Sequence, residues 1–134
     1  MGVEAKLKHL EFIQSVINRL SGNSFLLKGW SVTLVAALFA LAAKDANKNY
    51  ILVAYLPVLL FWNVDAYFLS QERKFRGLYD EVRMKREEEI NFSMDTQPYH
   101  TAKNSWARSS LSVTLLLFYL PLAAIMLLVM RLIQ

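Results

Sequence analysis

The sequence predicts an all-α membrane protein: an N-terminal amphipathic helix, then three transmembrane helices with the second extended into the cytoplasm. Three observations carry this. The chain is 55% hydrophobic over 134 residues, too apolar for a soluble domain of its size. It holds three apolar runs, each near the ~20 residues that a helix rising 1.5 Å per residue needs to cross a ~30 Å hydrocarbon layer. Its charges are unevenly placed around those runs. The resulting segments are a cytoplasmic or interfacial helix over 1–24, a transmembrane hairpin over 25–69 (crossings 25–43 and 50–69), a cytoplasmic helix and loop over 70–110, and a third crossing over 111–133.

Residues 3–20 place Val3, Leu7, Leu10, Ile13, Ile17 and Leu20 at alternating three- and four-residue steps, the spacing of one helix face. That face suits the inner leaflet or another protein segment, within the subunit or between subunits; Glu4 and Glu11 make its polar side less basic than that of a dedicated lipid binder. Ser21, Gly22, Asn23 and Ser24 predict a stop and a restart, with Gly22 in an αL position and Asn23 or Ser24 capping the next helix. The first crossing follows, with Lys28 near enough to its end to reach the headgroups beside Trp30. Ala40, Leu41 and Ala42 resemble a signal-peptide cleavage site, but the patterned helix preceding the run argues for a retained crossing. Gly29, Thr33, Ala36, Ala37, Ala40 and Ala43 form a small-residue stripe that should meet another helix rather than lipid.

The second run acquires Asp65 about one turn before its end and continues into charged sequence without a strong break. Phe68, Phe75, Leu78 and Val82 repeat as an apolar stripe, and Glu72 stands four residues before Arg76 in the favourable order. Asp65, Leu69, Glu72, Arg76 and Tyr79 follow a neighbouring face. This predicts one helix that leaves the bilayer and covers something apolar: the N-terminal helix, or the same segment of a neighbouring subunit. Glu87, Glu88 and Glu89 read as a solvated face. From Asn91 to Ser105 periodicity is lost and Pro98 intervenes, as in a loop returning the chain to the membrane.

Lys and Arg number four up to the first crossing (Lys6, Lys8, Arg19, Lys28) and eight from Arg73 to Arg108, against Lys44 and Lys48 in the link between the first two runs. The positive-inside rule puts the N-terminus and residues 70–110 in the cytoplasm and the C-terminus in the periplasm, with Trp30, Trp106 and Arg108 at the inner interface. On that side the Asn91-Phe92-Ser93 glycosylation triplet has no meaning.

No cysteine is present, and His9 and His100 are far apart, so disulfides, thiol nucleophiles and a histidine-rich metal site are not expected. There is no Gly-rich phosphate loop and no Ser/His/Asp set; no catalytic residue, metal or cofactor is expected, and no nucleic-acid partner. Asp65 is the ionisable group inside an apolar run, hence a functional candidate by default, with a structural ion pair or an interface contact as the competing reading. With Asn63 it would ring the inner mouth of a cation-selecting pore if subunits assemble around an axis. Pro57 and Pro121 lie mid-crossing, where a missing N–H favours a kink: a gating hinge in the sharper reading, a packing device in the plainer one.

The pattern Asp65-x-Tyr67, then Glu72-Arg73-x-Phe75-Arg76-x-Leu78-Tyr79-Asp80, with Leu10 to Gln14 and Asn23 to Trp30, resembles the RipA-like octameric membrane proteins of bacteria over about residues 8 to 82. The resemblance implies an inner-membrane homo-oligomer, with an octamer as its expected size. The chain is more weakly similar to SLATT-type domains, proposed as pore-forming effectors, from whose two-crossing pattern the third crossing departs. The expected function is therefore a homo-oligomer that forms a pore or perturbs the membrane. The alternative is a non-conducting scaffold recruiting a cytoplasmic protein partner. A third reading, a small membrane enzyme, rests on likeness in architecture alone to the bacterial diacylglycerol kinases.

Overall fold

The computed structural model describes residues 2–45, 47 and 49–133. Helices α1 (Gly2–Asp45) and α2 (Asn49–Met84) form a long antiparallel hairpin; a short α3 (Trp106–Ser110) leads into α4 (Val113–Ile133). There is no β-strand among the described residues. Three of the helices, α1, α2 and α4, are long and apolar enough to cross a membrane. At 1.5 Å per residue, the 44 residues of α1 extend about 66 Å and the 36 of α2 about 54 Å, roughly twice the hydrocarbon thickness. One half of the hairpin therefore has apolar sequence for a bilayer, and the other half projects beyond it.

The stop and restart at Ser21 to Ser24 is not found, because α1 runs unbroken through Gly22. A glycine inside a helix costs only about 1 kcal/mol relative to alanine. Packing on either side of it outweighs that: Ile13 and Ile17 are buried in one cluster, and Leu27 is buried just beyond. Fully burying one such side chain contributes about 1.5–3 kcal/mol. The link at Asn47 is described, whereas Ala46, Lys48 and Gln134, which the charge count places on the far side, lie outside the described residues.

Two apolar clusters hold the helices together. The membrane cluster joins Val35 and Ala42 of α1, Ile51, Ala54, Val58 and Ala66 of α2, and Leu115, Tyr119 and Met126 of α4. The projecting cluster joins Ile13 and Ile17 to Leu78 and Val82, with Phe75 and Tyr79 against it. The stripe on the α2 extension thus covers the N-terminal half of its own α1. Phe68, assigned to the same stripe, stands outside this cluster and packs on Tyr67, ring centroids 6.2 Å apart. The i,i+4 pair of Glu72 and Arg76 is formed at 2.8 Å.

Residues 85–105 are a strap laid along the projecting hairpin rather than a detached loop. Ile90, Met94 and Tyr99 pack on the Ile13/Leu78 cluster. His9 donates from Nε2 to the Ser93 carbonyl at 2.8 Å, and its ring lies 5.6 Å from that of Phe92, whose φ of 56° turns the strap there. Ser70 Oγ donates to the Asn104 carbonyl. Glu87, Glu88 and Glu89 form an exposed single turn, where the hydrogen bond from Arg86 Nε at 2.8 Å holds the Glu89 carboxyl below the usual carboxylate range.

Both prolines sit inside continuous helices, Pro57 in α2 and Pro121 in α4. Tyr55 Oη donates to the Ala123 carbonyl at 3.0 Å, tying α2 to α4 two residues from each proline.

Candidate functional site: a buried polar cluster at Asp65

The spacing Ser24, Lys28, Ser31 puts three polar groups of α1 on one face, because residues four and seven apart share a side of a helix. That face meets α2 at Asp65, which is 0% exposed. Its carboxylate accepts hydrogen bonds from three donors on two helices: Ser24 Oγ and Lys28 Nζ of α1, the latter at 2.6 Å, and Tyr119 Oη of α4 at 3.0 Å. Lys28 also donates to Ser24 Oγ at 2.8 Å and lies 5.9 Å from the centre of the Phe118 ring. Ser31 Oγ returns to the Leu27 carbonyl at 2.9 Å, so its buried hydroxyl is satisfied.

An ion pair taken out of water holds only if its geometry is close and its remaining lone pairs are bonded. Both conditions are met here. Asp65 has three donors, and the Lys28 side chain keeps 17% of its surface accessible. Tyr119 is held by stacking on Trp62, with centroids 5.5 Å apart and rings 3° from parallel. The Trp62 indole N–H in turn donates to the Ser110 carbonyl at 2.9 Å, and Trp106 donates to the Asn63 carbonyl at 2.9 Å. Each aromatic has its polar edge bonded where α3 meets α2, at the end of the apolar run, as suits a membrane interface.

The arrangement clasps three helices together at Asp65. Asp65 has no open face, and among the described residues no group of three His, Cys, Asp or Glu side chains could hold a metal. Asn63 and Asp65 do not come together: two residues apart on α2, they point to opposite sides, Asp65 inward and Asn63 outward with its amide on the Leu59 carbonyl at 3.0 Å. Lys28, expected to reach for the headgroups, turns inward instead, while Trp30 beside it is 58% exposed.

The small-residue stripe faces away from the subunit. Gly29, Thr33, Ala36, Ala37 and Ala40 are all exposed, whereas Ser31, Val35 and Ala42 of the same helix are buried. Thr33 satisfies its hydroxyl on the Gly29 carbonyl at 2.9 Å, leaving the face without an unmet polar group in its side chains. Sequence reasoning missed Ser24 and Tyr119 as partners of Asp65. The i,i+4 step from Ser24 to Lys28 was a usable signal; Tyr119, alone in an apolar run, gave none that named its partner.

The chain matches no family model, no curated protein and no solved structure.

Proposed function

We propose that this chain is a non-enzymatic, self-assembling protein of the bacterial inner membrane, an octamer by its resemblance to the RipA-like proteins, that acts as a scaffold presenting its projecting hairpin to a cytoplasmic protein. The outward face of small residues on α1 carries the reading. Side chains this short let the backbone of a second helix approach closely, and helix association in lipid relies on such contact rather than on hydrophobicity. The three crossings do not use that face among themselves. The Asp65 clasp makes each subunit a unit before it meets another.

A pore between subunits is the second reading, favoured by the outward Asn63 at the membrane end of α2. The tests are separable. In this cysteine-free chain, A36C and A40C should crosslink between subunits in native membranes, while L56C on the lipid-facing side of α2 should not. A36L should reduce the mass of the solubilised assembly; a monomeric mass for the unaltered protein overturns the proposal. Ion flux through reconstituted liposomes would choose the pore over the scaffold.

A further inference from the structure

Where α2, α3 and the start of α4 meet, an open cleft of about 830 Å³ is lined by Arg73, Arg76 and Arg108 together with Asn104, Ser112 and Asp80. Three arginines line it beside one carboxylate, Asp80, which Arg83 approaches at 3.7 Å. Arg76 is paired with the nearly buried Glu72 at 2.8 Å, yet its own side chain stays 62% accessible to the cleft. Arg73 and Arg76 also line a second crevice of about 540 Å³, on the other side of the α4 start, which reaches Ser24 and Lys28. Glu72 also lines this crevice, so the cleft carries the greater share of arginine beside the start of α4.

The level of this cleft identifies what it meets. Arg73 and Arg76 follow Leu69, the end of the apolar run, by four and seven residues, which is about 6 and 10 Å along the helix. The headgroup layer adds about 5–8 Å on each side of the hydrocarbon, so Arg73 falls within it and Arg76 just past it, within reach of its long side chain. On the opposite wall Leu111 and Val113, 65% and 72% exposed, offer apolar surface at the point where α4 enters its crossing. A site cationic on one side and apolar on the other fits an amphiphile with an anionic head. Guanidinium groups match phosphate oxygens in paired hydrogen bonds, which an ammonium cannot do.

We infer that this cleft is a binding site for the phosphate of an anionic lipid headgroup, with the acyl chains leaving along Leu111 and Val113. Basic pockets between transmembrane helices take such headgroups, and each arginine near the surface contributes on the order of fivefold in affinity. This goes beyond the assembly proposed above and does not depend on subunit number.

The test is native mass spectrometry of the full chain in detergent, offered equal amounts of phosphatidylglycerol and phosphatidylcholine. The unaltered protein should retain phosphatidylglycerol in preference. R73Q/R76Q/R108Q should lose that preference by at least tenfold, and R108Q alone, a change at an exposed side chain, by on the order of fivefold. K6Q/K8Q/R86Q, which removes the same charge elsewhere, should keep it. Unchanged preference in both cleft variants, or an equal loss in the control, overturns the site. So does inorganic phosphate that displaces the lipid at equal concentration, since the cleft would then be a site for free phosphate.

Discussion

Lys28 Nζ lies 2.6 Å from Asp65 Oδ2, joining the first turn of the α1 apolar run to the end of the α2 run, with Tyr119 of α4 completing the contact from the third side. Because the pair is removed from water, its two members are worth little singly and much together. Removing one partner leaves a buried charge uncompensated at a cost of about 3–5 kcal/mol, whereas replacing both by apolar groups is often neutral or better. K28M and D65L should each lower the unfolding midpoint of the detergent-solubilised protein sharply, and K28M/D65L should recover most of the loss. Additive losses in the double variant would show that the two side chains act independently.

Tyr119→Phe keeps the ring stacked on Trp62 and removes only the hydroxyl from Asp65. A hydrogen bond to a charged group contributes about 1.5–3 kcal/mol. The variant should fall by that amount in denaturant unfolding, and the loss should largely vanish in a K28M/D65L background, where the carboxylate is gone.

Gly77 faces Tyr99 of the strap, and a Cβ there would meet the Tyr99 Cβ at 3.3 Å and its Cδ1 at 3.4 Å. Tyr99 belongs to a single-turn helix in the strap, so it can yield a few tenths of an ångström, and alanine gains about 1 kcal/mol in helix preference. Gly77→Ala should be near neutral. Gly77→Leu should displace the strap, seen as faster hydrogen exchange over residues 96–104 with the α1–α2 hairpin unaffected.

His9→Phe should act at the other end of the same strap. It leaves the Ser93 carbonyl without its donor while keeping an aromatic ring against Phe92. A polar group stranded in a part-buried position costs about 1–3 kcal/mol. Limited proteolysis at residues 90–96 should accelerate, with little change in the global midpoint.

The crossings and the long α2 extension were legible in the sequence because each is a matter of length and period: about twenty apolar residues, then a stripe through Leu78 and Val82 with no proline to end it. The uninterrupted passage of α1 through Gly22 was not, since a local break signal worth about 1 kcal/mol loses to burial on both sides of it. Asp65 stood out as costly, yet the direction of Lys28 was open: a long side chain near a helix end can reach water or a carboxylate, and only the neighbouring helix decides. Tyr119 and the strap contacts of His9 depend on residues 54 and 84 positions away, a distance at which spacing carries no information.

The unbroken course of α1 through Gly22 gives the molecule a lever. Residues 2–24 extend about 35 Å beyond the point where the apolar run begins, so a tilt of about 10° in the bilayer sweeps their far end through roughly 6 Å. With Ile13 and Ile17 locked onto Leu78 and Val82, α2 must swing with it, and His9 draws the strap along. A change in membrane thickness is thereby magnified at the projecting end of the hairpin, with no joint in α1 to absorb it.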